Sequence, residues 1–317
     1  MRDEEEYLIS YANIKSGLFG KENNFTNPKK LKVFYEKEYL GFPICLPKNI
    51  RYFDYRKAKY FKIEKKIFAK KIFNTENLDY IGVKKFFRYG DIFAYNVDLK
   101  KKFKIEIKKY TKNIEYLKNK IRLLKLKKKK ICAMQIRNVP HFGHEAVFKH
   151  ILTNFDYLYL NPIFGIKKKN DFSNLFISKA LKYIKKKYNN VEFEPLWTNF
   201  HYAGPREAFH HMLMRQSLGF DFFYVGRDHA GAQNLYEHNS AIKKVSKFKD
   251  KFKIKTFVSQ GGFYCKNCDK YVIKGICIHK NLKNISGTSF REYINKKKLY
   301  KHADKTIQKI LFKTNKK

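Results

Sequence analysis

Apolar and polar positions change rhythm near residue 131. Beyond it, short apolar runs alternate with stretches of helical spacing. Residues 131–136 read as a strand, followed by a helix from about Glu145. Residues 157–160 read as a strand and 173–188 as a helix; 191–196 as a strand and 205–217 as a helix opening on Pro205; 222–225 as a strand and 231–248 as a long helix; 252–258 as a strand. This alternation implies an α/β fold with a parallel sheet covered on both faces, binding ligands beyond the carboxyl ends of its strands. Residues 1 to about 105 instead mix short β-like segments with turns. There 42–46 and 92–97 read as strands, with 59–69 a weaker candidate. Between the two parts, residues 111–127 carry Ile114, Leu117, Ile121 and Leu124 on one helical face. The expected organisation is a β-rich part (1–110), a linking helix (111–130), an α/β part (131–295) and a basic carboxyl-terminal helix or tail (296–317).

Composition narrows the class. The chain has 317 residues, of which 44% are hydrophobic, enough for a substantial core. No apolar run approaches the ~18 residues that span a bilayer. The acidic start, Met1 to Glu6, does not resemble a secretion signal, so a cytoplasmic, membrane-free protein is expected. The net charge of +42 is extreme. The lysines are spread along the chain rather than gathered in one tail. That pattern fits the Lys, Asn, Phe, Tyr and Ile drift of an A+T-rich genome better than nucleic-acid binding. The run from Lys127 to Lys130 likewise suits a solvated helix end.

Five cysteines without a secretion signal argue against a disulfide framework. Three cluster with a histidine as Cys265-x2-Cys268-x8-Cys277-x-His279, a donor set that suits a closed, structural Zn2+ site. The stretch Gln135-Ile136-Arg137-Asn138-Val139-Pro140-His141-Phe142-Gly143-His144 sits where a strand hands over to a helix. Free backbone N–H groups there already favour an anion; two imidazoles, an amide and a guanidinium strengthen the case for nucleotide phosphates.

Three further blocks follow in order: Gly204-Pro205-Arg206-Glu207-Ala208, Gly226-Arg227-Asp228-His229-Ala230-Gly231, and Ile285-Ser286-Gly287-Thr288 with Arg291. Together the four blocks resemble the motifs of ATP sulfurylases, members of the H-x-G-H nucleotidyl transferases. Weaker similarity covers most of residues 14 to 295, including 13–20, Gly82 to Lys84 and Gly90-Asp91. The resemblance implies a Rossmann-like catalytic domain preceded by a PUA-like β-barrel, with a zinc insertion at 263–280. It implies sulfate attack on the α-phosphorus of ATP, giving adenosine 5′-phosphosulfate and pyrophosphate, with Mg2+ accompanying ATP. Gln135, Arg137, Arg227 and the backbone N–H of Ala230 would hold sulfate. Asn138, His141, His144, Ser286, Thr288 and Arg291 would hold ATP, and Ser286 or Thr288 also reads as a plain helix cap. Arg137, Asn138, His141, His144 and Arg227 would be catalytic. Asp228 and His229 would shape their loop, and Arg206 and His211 match family positions without an expected ligand contact. Asn161 to Gly165, followed by Lys167 and Asp171, resembles a family loop and equally reads as a solvated turn. A homo-oligomer, a dimer, is expected.

Three departures stand out. Ile136 occupies a position that is usually Thr, so an orienting hydroxyl is expected to be lost. The amino terminus looks short, and a Pro-rich stretch is missing after Lys296. There is no G-x-x-x-x-G-K-[S/T] loop, so no P-loop kinase is expected within these residues. Two other readings are an H-x-G-H transferase with a different acceptor, and a basic nucleic-acid-binding protein on a decayed scaffold. Gln135, Arg137 and Arg227 build an oxyanion site that an amine or sugar-phosphate acceptor would not need.

Overall fold

The computed structural model describes residues 4–127, 129–166, 171–227 and 229–314. Lys128, Lys167 and Asp228 lie outside the described residues. The amino-terminal part holds α1 (Glu5–Lys15), α2 (Pro28–Glu36), β1 (Leu46–Pro47), β2 (Phe53–Asp54), β3 (Lys59–Lys62), α3 (Lys65–Phe73), α4 (Ile81–Phe86), β4 (Ile92–Tyr95) and β5 (Asp98–Leu99). The β-rich expectation is therefore corrected: four helices outweigh five short strands. The strands form a β1-β4-β3 sheet and a β2-β5 pair, and among the described residues neither closes into a barrel. Within the predicted strand 59–69, only Lys59–Lys62 is extended. Phe68, Ala69, Ile72 and Phe73 then bury one helical face of α3. Within 42–46 only Leu46 pairs, because Pro43 has no N–H for a ladder.

Helix α5 (Lys104–Leu126) starts earlier than its apolar stripe predicted, and it buries Tyr110, Ile114, Leu117 and Ile121. The α/β part then runs β6 (Ile131–Ile136), α6 (Phe142–Leu152), β7 (Tyr157–Pro162), α7 (Asn174–Lys187), β8 (Val191–Phe193), α8 (Gly204–Leu218), β9 (Phe222–Gly226), α9 (Ser240–Lys247) and β10 (Lys255–Ser259). The five strands form one parallel sheet in the order β10-β9-β6-β7-β8. The chain steps from β6 through β7 to β8 at one edge and then crosses back to β9 on the other side of β6, so a crevice opens between the carboxyl ends of β6 and β9. Three short strands, β11 (Gly262–Cys265), β12 (Lys270–Ile273) and β13 (Leu282–Asn284), form a separate antiparallel sheet. Helices α10 (Gly287–Asn295) and α11 (Lys305–Thr314) complete the described chain.

Strand alternation sorts the core. In β6, Ile131 and Ala133 join an apolar cluster that continues into the amino-terminal part. Cys132, Met134 and Ile136 join the cluster built with α6, α7, α10 and α11. Helix α8 lies in the first layer and buries polar as well as apolar residues, among them Arg206, Glu207, His211 and Arg215. Pro205 opens it, and Gly219, at φ +97°, ends it in the left-handed region. The predicted helix 231–248 is shortened to Ser240–Lys247. Ala230, Gln233, Asn234 and Asn239 all have positive φ, which breaks helical geometry. No helix among the described residues is long and apolar enough to cross a membrane.

Candidate active site

The crevice holds a cavity of about 340 Å3 lined by Gln135, Arg137, Asn138, His141, His144 and Arg227, among others. It opens into a wider cleft of about 1200 Å3, bordered by Asp171, the 231–238 loop, Ser286, Thr288 and Arg291. Arg137, Arg227, His229 and Gly231 line both.

Strand β6 delivers Gln135, and the turn after it delivers Arg137 and Asn138. The buried Oε1 of Gln135 has no hydrogen-bond partner among the described residues. Its amide can be placed either way round, and with Nε2 inward it offers a donor to an anion. Helix α6 begins with His141 as its N-cap. The His141 backbone N–H donates to His144 Nδ1 (3.3 Å), so a neutral His144 carries its proton on Nε2. The two rings are 3.9 Å apart. Burial pushes His144 down to about 4. Burial, and then the neighbouring His144 and His302, hold His141 well below the usual imidazole range. Both are therefore neutral near pH 7. His141 Nδ1 is buried without a partner at the helix N-terminus, where backbone N–H groups also favour an anion.

Arg227 leaves β9 and is held from the far side. Its Nη2 donates to Asn284 Oδ1 (2.8 Å), and its guanidinium stacks 4.7 Å from the Phe263 ring. The Arg137 guanidinium lies 5.9 Å from the Phe200 ring and donates no hydrogen bond among the described residues. Ser286 caps α10, accepting from the N–H groups of Thr288 (3.2 Å) and Ser289 (3.3 Å). Arg291 bridges the two phosphate motifs: Nη1 donates to Asn138 Oδ1 (2.8 Å) and Nη2 to Thr288 Oγ1 (3.0 Å). Its guanidinium is 3.7 Å from Asp171. Three guanidinium groups thus face the crevice, a setting for anions.

Cys265, Cys268, Cys277 and His279 converge beyond β11, with all four donor atoms within 4.8 Å of one another. His279 Nδ1 lies 3.6, 3.2 and 3.7 Å from the three sulfurs, and Cys268 Sγ is 3.9 Å from Cys277 Sγ. Zinc–sulfur bonds of about 2.3 Å imply sulfurs about 3.8 Å apart at tetrahedral corners, so the donor set fits that ion.

Residues 109–303 match the family model described as ATP-sulfurylase. The chain belongs to the ATP-sulfurylase family. It is 36% identical over 237 residues to the sulfate adenylyltransferase of Pyrococcus abyssi, covering 73% of this chain and 62% of that protein. It is 37% identical over 244 residues to that of Ignicoccus hospitalis, covering 74% and 62%. The chain thus spans less than two thirds of the length of these relatives. A structure titled hexameric APS kinase from Thiobacillus denitrificans shares the fold, with a TM-score of 0.63 and 11% identity, over 97% of this chain and 61% of that one.

With family membership established, the remaining predicted positions can be placed. Ala230 lines the cavity in the left-handed region at φ +57°, and its carbonyl accepts from the Gly204 N–H (3.3 Å). Arg206 points away from the crevice. It donates to the carbonyls of Phe34, Gly41 and Lys71 and so clamps α8 to the amino-terminal part. Asn161 is buried in the sheet and donates to the Glu194 carbonyl (3.1 Å). Asn284, Phe263 and Phe200 were not anticipated from sequence. They reach the cavity or its arginines from distant segments, and no local motif marks them; Glu207, which also lines the cavity, lies in the Gly204–Ala208 block but was given no role there.

Ile136 requires a revision. An ATP-sulfurylase motif with Thr at this position suggested a hydroxyl near the reacting centre. Alternation along β6 instead places Ile136 in the apolar cluster, 2% exposed, while Gln135 and Arg137 line the cavity. Ile136→Thr is expected to leave turnover within about twofold and to cost about 1–2 kcal/mol of stability from a poorly paired buried hydroxyl. Thermal unfolding and turnover measured together check this; a large gain in rate would show that the hydroxyl acts in catalysis.

Proposed function

We propose that the chain is a sulfate adenylyltransferase, joining ATP and sulfate to give adenosine 5′-phosphosulfate and pyrophosphate, or running the reverse. The observation that carries this is the convergence of Gln135, Arg137 and Arg227 on one cavity with His141 and His144. A sulfate oxygen attacks the α-phosphorus, and the bond to the bridging oxygen of pyrophosphate breaks. Sulfate is already an anion, so no general base is required. Positioning and charge stabilisation supply the rate.

In this reading Gln135, Arg137, Arg227 and the Ala230 N–H hold sulfate. Asn138, His141 and His144 hold the phosphates of Mg2+-ATP, whose ribose and base extend into the wider cleft past Ser286, Thr288 and Arg291. The neutral His144 donates from Nε2. Sulfate-dependent pyrophosphate release from Mg2+-ATP tests the assignment; release that ignores sulfate, or none at all, overturns it.

Residues 131–295 form the catalytic domain in this reading, and 1–110 a reduced, partly helical counterpart of the PUA-like domain, with α5 between them. A homodimer and a cytoplasmic location go with the family reading, and light scattering on the purified chain tests the first.

Cys265, Cys268, Cys277 and His279 hold one structural Zn2+. Bound there, it ties β11 and β12 to the loop before β13. Metal analysis is expected to find one zinc per chain. Chelation should lower the thermal midpoint. A metal-free chain of equal stability would refute the zinc assignment.

A further inference from the structure

Helix α8 buries a whole guanidinium group. Arg215 is 0% exposed. Its Nη2 donates one long bond, 3.4 Å, to the Asn161 carbonyl. Its Nε and Nη1 have no hydrogen-bond partner among the described residues. The guanidinium lies 5.2 Å from the Phe223 ring. Among the described residues no carboxylate pairs with it. The one acid of α8, Glu207, is more than two turns away, about 12 Å along the helix axis.

The sheet register fixes where this charge sits. Asn161 on β7 pairs with Gln135 of β6, and Phe223 on β9 pairs with Ala133. A group within reach of both Asn161 and Phe223 lies across β6, where the small side chain of Ala133 leaves room for it. Gln135 lines the cavity. One turn before Arg215 on α8, His211 Nδ1 is 2.9 Å from Nε2 of His229, which lines the cavity as well. The guanidinium therefore stands behind the cavity wall. A buried, unpaired charge is costly, and an apolar side chain of that size is often as stable or more so. Its place behind an arginine-lined cavity adds to a positive potential there, little screened by solvent or salt. Burial lowers Arg215 to about 9, so it is still a cation at neutral pH. Burial, together with Arg215 and Arg137, lowers His229 to about 3, so that ring is neutral and adds no charge of its own.

We infer that Arg215 is a specificity-determining residue of this site: its buried, unpaired charge favours doubly charged oxyanions over singly charged ones of the same shape. The inference rests on the sulfate reading and deepens it. The Gln135 amide and the forks of Arg137 and Arg227 offer donors to the oxygens of any tetrahedral oxyanion, so they recognise shape. A charge behind the wall acts on ligand charge alone and in proportion to it. Its loss should therefore weaken a dianion by about tenfold and a monoanion by the square root of that, about threefold. The reaction moves negative charge toward pyrophosphate but creates none. The field thus acts alike on bound substrates and transition state, so the KM for sulfate should change and kcat hardly at all.

Sulfate and perchlorate, both tetrahedral, doubly and singly charged, are the probes. Calorimetric titration of each ion into the chain saturated with Mg2+ and α,β-methylene-ATP needs no turnover. Arg215→Met, uncharged and of similar length, should bind sulfate about tenfold and perchlorate about threefold more weakly than the wild type. Its thermal midpoint should hold or rise. Arg215→Lys keeps the charge and should keep the wild-type ratio of the two affinities. Arg215→Gln, uncharged but polar, gives the same comparison if the apolar variant fails to fold. In steady state at saturating Mg2+-ATP, the uncharged variant should raise the KM for sulfate about tenfold and leave kcat within about twofold. Equal losses for the two ions would mean that Arg215 only shapes the wall, and no loss for either that its charge does not reach the cavity. Each result would overturn the inference. A wild type that releases no pyrophosphate, with variants that still show the unequal losses, would overturn only the activity; a wild type that binds neither ion would overturn both.

Discussion

Arg137→Ala and Arg227→Ala should each cut sulfate-dependent turnover about a hundredfold or more while the fold survives. In the proposed reaction each replaces a charged donor at the place where two anions would be brought together, and such a loss costs on the order of 3 kcal/mol in the transition state. The folding cost should be small. Arg137 rests near Phe200 without a hydrogen bond among the described residues. Arg227 gives up its bond to Asn284 and its stacking on Phe263 at the crevice wall. Lysine at either position should recover little, because a point charge cannot reproduce a planar fork against a tetrahedral oxyanion. Steady-state rates with sulfate varied, beside thermal unfolding of the same samples, check both halves. Near wild-type rates in either variant would remove that arginine from the sulfate site.

What was legible in the sequence was what the chain writes locally. The stretch Gln135 to His144 spans one strand end and one helix start, so its motif and its structure coincide. Cys265, Cys268, Cys277 and His279 lie within fifteen residues, and their spacing alone predicted the cluster found within 4.8 Å. The strands of the parallel sheet were visible as short apolar runs because both of their faces are buried. Other features depend on tertiary contacts. Asn284 reaches Arg227 across 57 positions of sequence. His211 and Arg215 are helical neighbours, but His229 meets His211 from a different loop. Residues 231–239 have helix-compatible composition, and only the left-handed backbone at Gln233, Asn234 and Asn239 shows why no helix forms. In the amino-terminal part, abundant Lys, Phe and Tyr blurred the difference between periods of two and of 3.6, and helices passed for strands.

Gly262→Ala should be the most damaging small substitution in the module that carries the Cys/His cluster. A Cβ at Gly262 would lie 2.0 Å from the Gly143 carbonyl oxygen and 2.7 Å from its carbon, and backbone cannot swing aside as a side chain can. Gly143 is the glycine of H-x-G-H, in the first turn of α6. The two glycines let β11 press directly on the turn that presents His141 and His144. From Gly262 the strand runs three residues to Cys265, a zinc ligand in the proposed reading, and its neighbour β13 ends at Asn284, which holds Arg227. One short sheet therefore supports both halves of the crevice, and pushing it away from α6 should disturb both. The expected cost is about 3 kcal/mol, or roughly 6 °C in the thermal midpoint, with weaker binding of both substrates. Zinc content should stay at that of the wild type, since no ligand is touched. Gly275→Ala is the control within the same module. Gly275, unlike Gly262, has a positive φ, +93°, but nothing lies within 4 Å of its added Cβ, so only the backbone penalty of about 1 kcal/mol should appear. If Gly262→Ala matched that control in stability and in both KM values, the module would be a bystander to the crevice rather than its support.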